Sequence, residues 1–120
     1  EVRHDSFRDP EFIAMARAHG VAIVVAADTA YPQIADITAP FVYARLIGTR
    51  ETEAMGYAED TLDLWAERAR QWNGGGAPDG LETVTPQQPD GTPRDVYLYV
   101  ISGHKIRNPA AAMALIERLG

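Results

Sequence analysis

Two arginines, two carboxylates and a tyrosine fall at spacings from which a charged site can be built. Alternation along the opening residues, which read as the end of a strand, puts Glu1 and Arg3 on one face and His4 on the other. Tyr43 and Arg45 share a face of a later apolar run, and Asp28 closes the run Val21 to Ala27. If these faces converge, the arginines keep Glu1 and Asp28 ionised and can clamp an anionic substrate bidentately. In the catalytic version Glu1 or Asp28 acts as general base and Arg3, Arg45 or Lys105 holds the anion, for hydrolysis or proton transfer. The same charges equally make a structural ion-pair network, and the residues leave both readings open.

The segment Ser102-Gly103-His104-Lys105-Ile106-Arg107 precedes a helix starting near Asn108-Pro109. Free N–H groups at a helix start favour anions, so His104 and Lys105 are candidate ligand-binding residues. A solvated turn capped by Asn108 is the alternative. Tyr57, just ahead of another helix, is a candidate site wall. Trp65 and Trp72 lie seven apart on a stripe with Leu62 and Ala69, which assigns them to the core. His19 at the last turn of the first helix reads as a dipole partner. No HExxH or comparable pair specifies a metal. Ser6 and Ser102 are the only serines and neither lies in a G-x-S-x-G elbow. The Gly74-Gly75-Gly76 run lacks the strand-turn-helix context of a phosphate cradle. No cofactor is implied.

The elements that must position these residues follow from periodicity. Asp9 and Pro10 start a helix that Gly20 stops, with Phe12, Ile13, Met15 and Ala16 as its apolar stripe. Val21 to Ala27 reads as a parallel strand covered on both faces. The stretch Thr29 to Pro40 is a crossover with room for about one helical turn, and Phe41 to Ile47 is a second strand. A helix over Asp60 to Trp72 follows, with Glu59 and Asp60 suiting its positive end. Asn73 to Arg94 holds five glycines and four prolines, the pattern of a flexible tether dispensable for folding. Val96 to Ile101 is a third strand. The last helix is expected to turn Met113, Leu115, Ile116 and Leu119 inward.

Composition bounds the partners. The 120 residues are 46% hydrophobic and 23% charged, an ordinary globular balance. Eleven Lys and Arg against 17 Asp and Glu give a net charge of −6, which opposes phosphate neutralisation and argues against nucleic acid. There is no cysteine, so thiolate chemistry and disulfides are excluded. The longest apolar run is far short of the ~20 residues of a membrane span, and a soluble, cytoplasmic chain is expected. The chain opens at Glu1 without an initiator Met, as a fragment or processed chain does.

Alternating strands and helices imply a parallel α/β sheet, either doubly wound or part of a (β/α) barrel. Read together, Glu1-Val2-Arg3-His4 with Ser6-Phe7, Val24 to Asp28, Phe41 to Gly48, Tyr57 before Leu62-Trp65-Ala66, and Asp95 to Tyr99 resemble the C-terminal half of the domain of unknown function 72 (YecE-like) family. The resemblance implies half of a TIM-barrel-like fold, since a whole barrel needs ~250 residues. It implies no established activity. It also marks two departures: family members usually carry His where Ile47 stands and an Asn pair where Ile101-Ser102 stand. Active sites of barrels lie at the C-terminal ends of the strands. The leading expectation is therefore a site there for a small anionic or phosphorylated ligand. The alternative is a noncatalytic ligand-binding or protein-interaction domain. Half a barrel leaves a strand edge and a sheet face uncovered, so self-association or a requirement for an N-terminal half is expected.

Overall fold

The structure is a computed structural model that describes residues 1–120. Three parallel strands, β1 (Val25–Ala27), β2 (Phe41–Leu46) and β3 (Asp95–Val100), form one sheet in the order β1-β2-β3. The helices are α1 (Pro10–Ala18), α2 (Glu59–Asn73) and α3 (Asn108–Leu119). The chain is thus α/β with parallel strand-helix units, as its alternating pattern predicts. No helix is long and apolar enough to cross a membrane.

Local chemistry explains most boundaries. The Asp9 carboxylate accepts the Glu11 N–H at 2.9 Å, and Pro10 occupies the first turn of α1. Gly20, at φ +63°, takes the left-handed conformation that ends it. Two expected strands are shorter or absent. Residues 1–3 join no ladder, and β1 begins only at Val25. Upstream, the Thr38 hydroxyl donates to the Val21 carbonyl at 2.6 Å, a side-chain bond on a strand expected to bond only through its backbone. The crossover from Asp28 to β2 contains no helical turn.

Alternation along β2 decides where the core sits. Val42, Ala44 and Leu46 are buried against Leu62, Trp65, Ala66 and Trp72 of α2 and Ala111, Ala114 and Leu115 of α3. Each large apolar side chain so buried contributes roughly 1.5–3 kcal/mol. Both tryptophans are core, as their spacing predicts. The stripe of α3 differs from expectation: Met113 and Ile116 are each 69% exposed, and Leu119 is also exposed. Leu115 is buried as expected, but its inward partners are Ala111 and Ala114. Met15 of α1 likewise faces outward, while Ile13 and Ala16 are buried beside Ile23 and Ile34.

Because α2 and α3 cover only one side of β2 and β3, the other side is open. It presents Phe41, Tyr43 and Arg45 from β2 and Tyr97 and Tyr99 from β3, the last two about half exposed. The Phe41 and Tyr97 rings meet edge to face at 5.9 Å between centroids, and Tyr43 and Tyr99 at 5.1 Å with a 30° tilt.

The segment Asn73 to Arg94 does not hang free as the tether its composition suggests. Asp36, a buried carboxylate, accepts the N–H of Val84 (2.7 Å), the N–H and hydroxyl of Thr85 (2.9 and 2.6 Å) and the Gln87 amide (3.1 Å). Gln87 in return accepts the Ile37 N–H, and Gln33 accepts that of Glu82. At its neck Gly75 passes so close to Gly91 that a Cβ would lie 2.3 Å from the Gly91 carbonyl carbon. These anchors are polar and distant in sequence, so apolar periodicity does not report them. Asp36→Ala leaves buried N–H groups unpaired and should destabilise the fold by on the order of 3 kcal/mol. Denaturant melts measure that loss, and limited proteolysis should show new cleavage between Leu81 and Asp90.

Candidate active site at the strand ends

The predicted charges do not form one cluster; they divide into two. In the first, the Glu1 carboxylate bridges Arg45 and Arg3, the latter at 2.9 Å. Glu1 and Arg45 side chains are 14% and 22% exposed, whereas Arg3 is 60% exposed and stacks 4.5 Å above the Tyr31 ring. Arg45 lies between Ala26 and Tyr99 in the sheet register. Tyr43, Arg45, Tyr99, Glu1 and Ile101 line a hollow of about 280 Å³ on the open sheet face. Glu1, Tyr43 and Arg45 therefore meet as expected, with Arg3 attached through Glu1.

Burial pushes the Glu1 carboxyl up, but hydrogen bonds and charge from Arg45 and Arg3 outweigh it and hold the group below its ordinary 4.5. Such a carboxylate is a weak base, better suited to orienting guanidinium groups than to taking a proton.

The second cluster holds Asp28 and Tyr57. Asp28 pairs with neither Arg3 nor Arg45 but turns sharply at the end of β1 with φ 58°, a conformation that Asp tolerates better than most residues. Gly48 must be glycine here, because a Cβ would stand 2.3 Å from the Asp28 Cβ. Its N–H donates to the Tyr57 hydroxyl at 3.0 Å. Tyr57 is buried, which pushes its phenol up to about 12; the Gly48 N–H opposes this, and the neighbouring Asp28 charge adds to it. Tyr57 is thus a neutral hydroxyl beside a carboxylate.

His104 and Lys105 line no part of the Arg45 hollow. His104 is tied by its backbone to Thr49, and Lys105 is exposed at the start of a short 3-10 turn. Asn108 does not cap α3: its side chain accepts the Thr49 hydroxyl and donates to the Ser102 carbonyl at 2.8 Å. This knot forces Ser102 and Gly103 to positive φ, and a Cβ on Gly103 would come within 2.6 Å of the Thr49 hydroxyl. Nowhere do three or more His, Asp or Glu side chains converge.

A family profile described as "Protein of unknown function DUF72" matches residues 1–120. The chain belongs to the DUF72 family. No curated protein and no solved structure matches it. In this DUF72 chain the departure at Ile101 falls on the wall of the Arg45 hollow, and Ile47 follows β2 with its N–H donated to Ala27. Sequence reasoning missed Tyr99 and Tyr31. Tyr99 lies on the alternating face of β3, but only the register opposite Arg45 brings it to the site. Tyr31 sits in the aperiodic crossover, where no pattern signals a contact.

The lowered Glu1 value makes a signed prediction. Its contribution to stability is complete above the unfolded carboxyl value near 4.5 and is lost as pH falls through the lower folded value. Glu1→Gln should remove that part of the acid slope. Stability measured by denaturant titration at several pH values below 5 checks it.

Proposed function

We propose that this DUF72 chain binds a small anionic or phosphorylated ligand at the C-terminal ends of its strands, with Arg45 as the charge that holds it. The observation that supports this most is the placement of Arg45: a half-buried guanidinium, fixed by Glu1, at the edge of a hollow walled by Tyr43 and Tyr99. A pre-oriented guanidinium loses little freedom on binding an oxyanion, and two rings accept the apolar remainder of a ligand. We place the strand-helix units in a TIM-barrel-like architecture, whose sites gather at this end. In a catalytic version Asp28 beside neutral Tyr57 is the better proton-handling pair, while Glu1 orients the arginines. Phosphate should raise the melting temperature of the wild type by mass action, by about 2.7 kcal/mol of stabilisation at a hundredfold excess over Kd. Arg45→Ala should abolish that rise without the loss expected of a core residue. A thermal shift indifferent to phosphate overturns the reading.

The open aromatic face favours a second reading, an interaction domain whose partner supplies the missing cover. Tyr97, Tyr99 and Ile101 are exposed together next to the free edge of β3. On this reading the isolated chain self-associates. Light scattering should report a mass above the 13.1 kDa monomer that falls when Tyr97 is changed to Arg; a sharp monomer at all concentrations contradicts it.

A further inference from the structure

The opposite end of the sheet carries a second hollow, of about 510 Å³, between the C-terminus of α1, the residues leading into β2 and β3, and the folded-back segment after α2. Its size is that of a small-molecule site. Only three of its sixteen lining residues are hydrophobic, so it does not suit an apolar ligand. Its charged groups are Arg17, Arg94 and Asp90, two guanidinium groups against one carboxylate on a chain whose net charge is −6.

Both arginines are held in place with donors to spare. Arg17 gives Nε and Nη2 to the Ile37 carbonyl at 3.3 and 3.1 Å, leaving Nη1 uncommitted. Arg94 is 12% exposed and gives Nη1 and Nη2 to Asp90 and Nη1 to the Thr92 carbonyl, while its buried Nε donates to nothing. One Nη2 hydrogen of Arg94 is also left uncommitted, and an oxyanion can accept it. The N–H groups of Thr38 and Ala39, on the wall of the same hollow, donate to no backbone acceptor. The roof, Pro86 to Asp90, directly follows Thr85 and includes Gln87, both bonded to Asp36, so the cavity is shaped before any ligand arrives.

From these features we infer that the hollow is a second binding site, distinct from that at Arg45, for a small hydrophilic oxyanion carrying a carboxylate or phosphate. Arg17 and Arg94 contact the charge, and the Thr38 and Ala39 N–H groups share it.

The test is a titration of the ¹⁵N-labelled full chain with inorganic phosphate, repeated with acetate to separate the two oxyanion classes. Phosphate, acetate or both should shift the Thr38 and Ala39 amides and the Arg17 and Arg94 Nε–H signals. The shifts should persist in Arg45→Ala and weaken at least tenfold in Arg17→Gln, a change on an exposed helix position that spares the core. Shifts that vanish in Arg45→Ala, or that survive unchanged in Arg17→Gln, overturn the second site. Stationary signals here with moving signals at Tyr43 and Tyr99 overturn it while leaving the strand-end reading intact; the reverse pattern does the opposite.

Discussion

A parallel sheet must be covered on both faces, and here helices cover β2 and β3 on one face only. That constraint organises the molecule. Val42, Ala44 and Leu46 face α2 and α3 and make the core, so the alternate positions Phe41, Tyr43 and Arg45 have nowhere to go but the open side. Parallel register then sets Tyr97 opposite Tyr43 and Tyr99 opposite Arg45. A charged residue on such a face is costly unless paired, and Glu1 supplies the pair. The aromatic surface, the cation at its C-terminal end and the position of the opening segment are thus consequences of one layer arrangement.

The two ends of the sheet solve different problems. At the C-terminal end the backbone is forced into tight turns at Asp28, Ser102 and Gly103, each held by a specific neighbour: Gly48 for the first, Thr49 and Asn108 for the others. The positive φ of the non-glycine residues Asp28 and Ser102 is a local cost that these neighbours hold in place. At the N-terminal end there is little strain. A long aperiodic segment is gathered there by one buried carboxylate, Asp36, and gains shape from polar bonds rather than from apolar packing.

What was legible in the sequence follows from this division. The helices and strands that bury one face announced themselves by caps and apolar pattern: α1 through Asp9, Pro10 and Gly20, α2 through Leu62, Trp65, Ala69 and Trp72, β2 as the run from Phe41 to Ile47 before Gly48. The family was legible from motif order across nearly the whole chain. The meeting of Glu1 with Arg45 was legible only as a condition, that the face of Glu1 and Arg3 converge with the face of Tyr43 and Arg45. The separation of Asp28 from the arginines was not legible, because it depends on the positive φ that turns Asp28 away and on the close passage of Gly48. Asn108 read as a cap because its type and position fit one; a buried Thr49, far away in sequence, claimed its side chain. The anchoring of the segment after α2 was hidden for the same reason: a single Asp in an aperiodic crossover carries no signal of the four donors that reach it.

The central claim is that Arg45 is a ligand-holding cation rather than a strut of the fold. The most direct measurement is a crystal structure grown with tungstate, a phosphate mimic located by its anomalous scattering. The account predicts an anomalous peak within hydrogen-bonding distance of the Arg45 guanidinium, between Glu1 and the Tyr43–Tyr99 pair. A peak at Lys105 or Arg107 with none at Arg45 would contradict it, and would leave the Glu1–Arg45 pair as a structural bond alone.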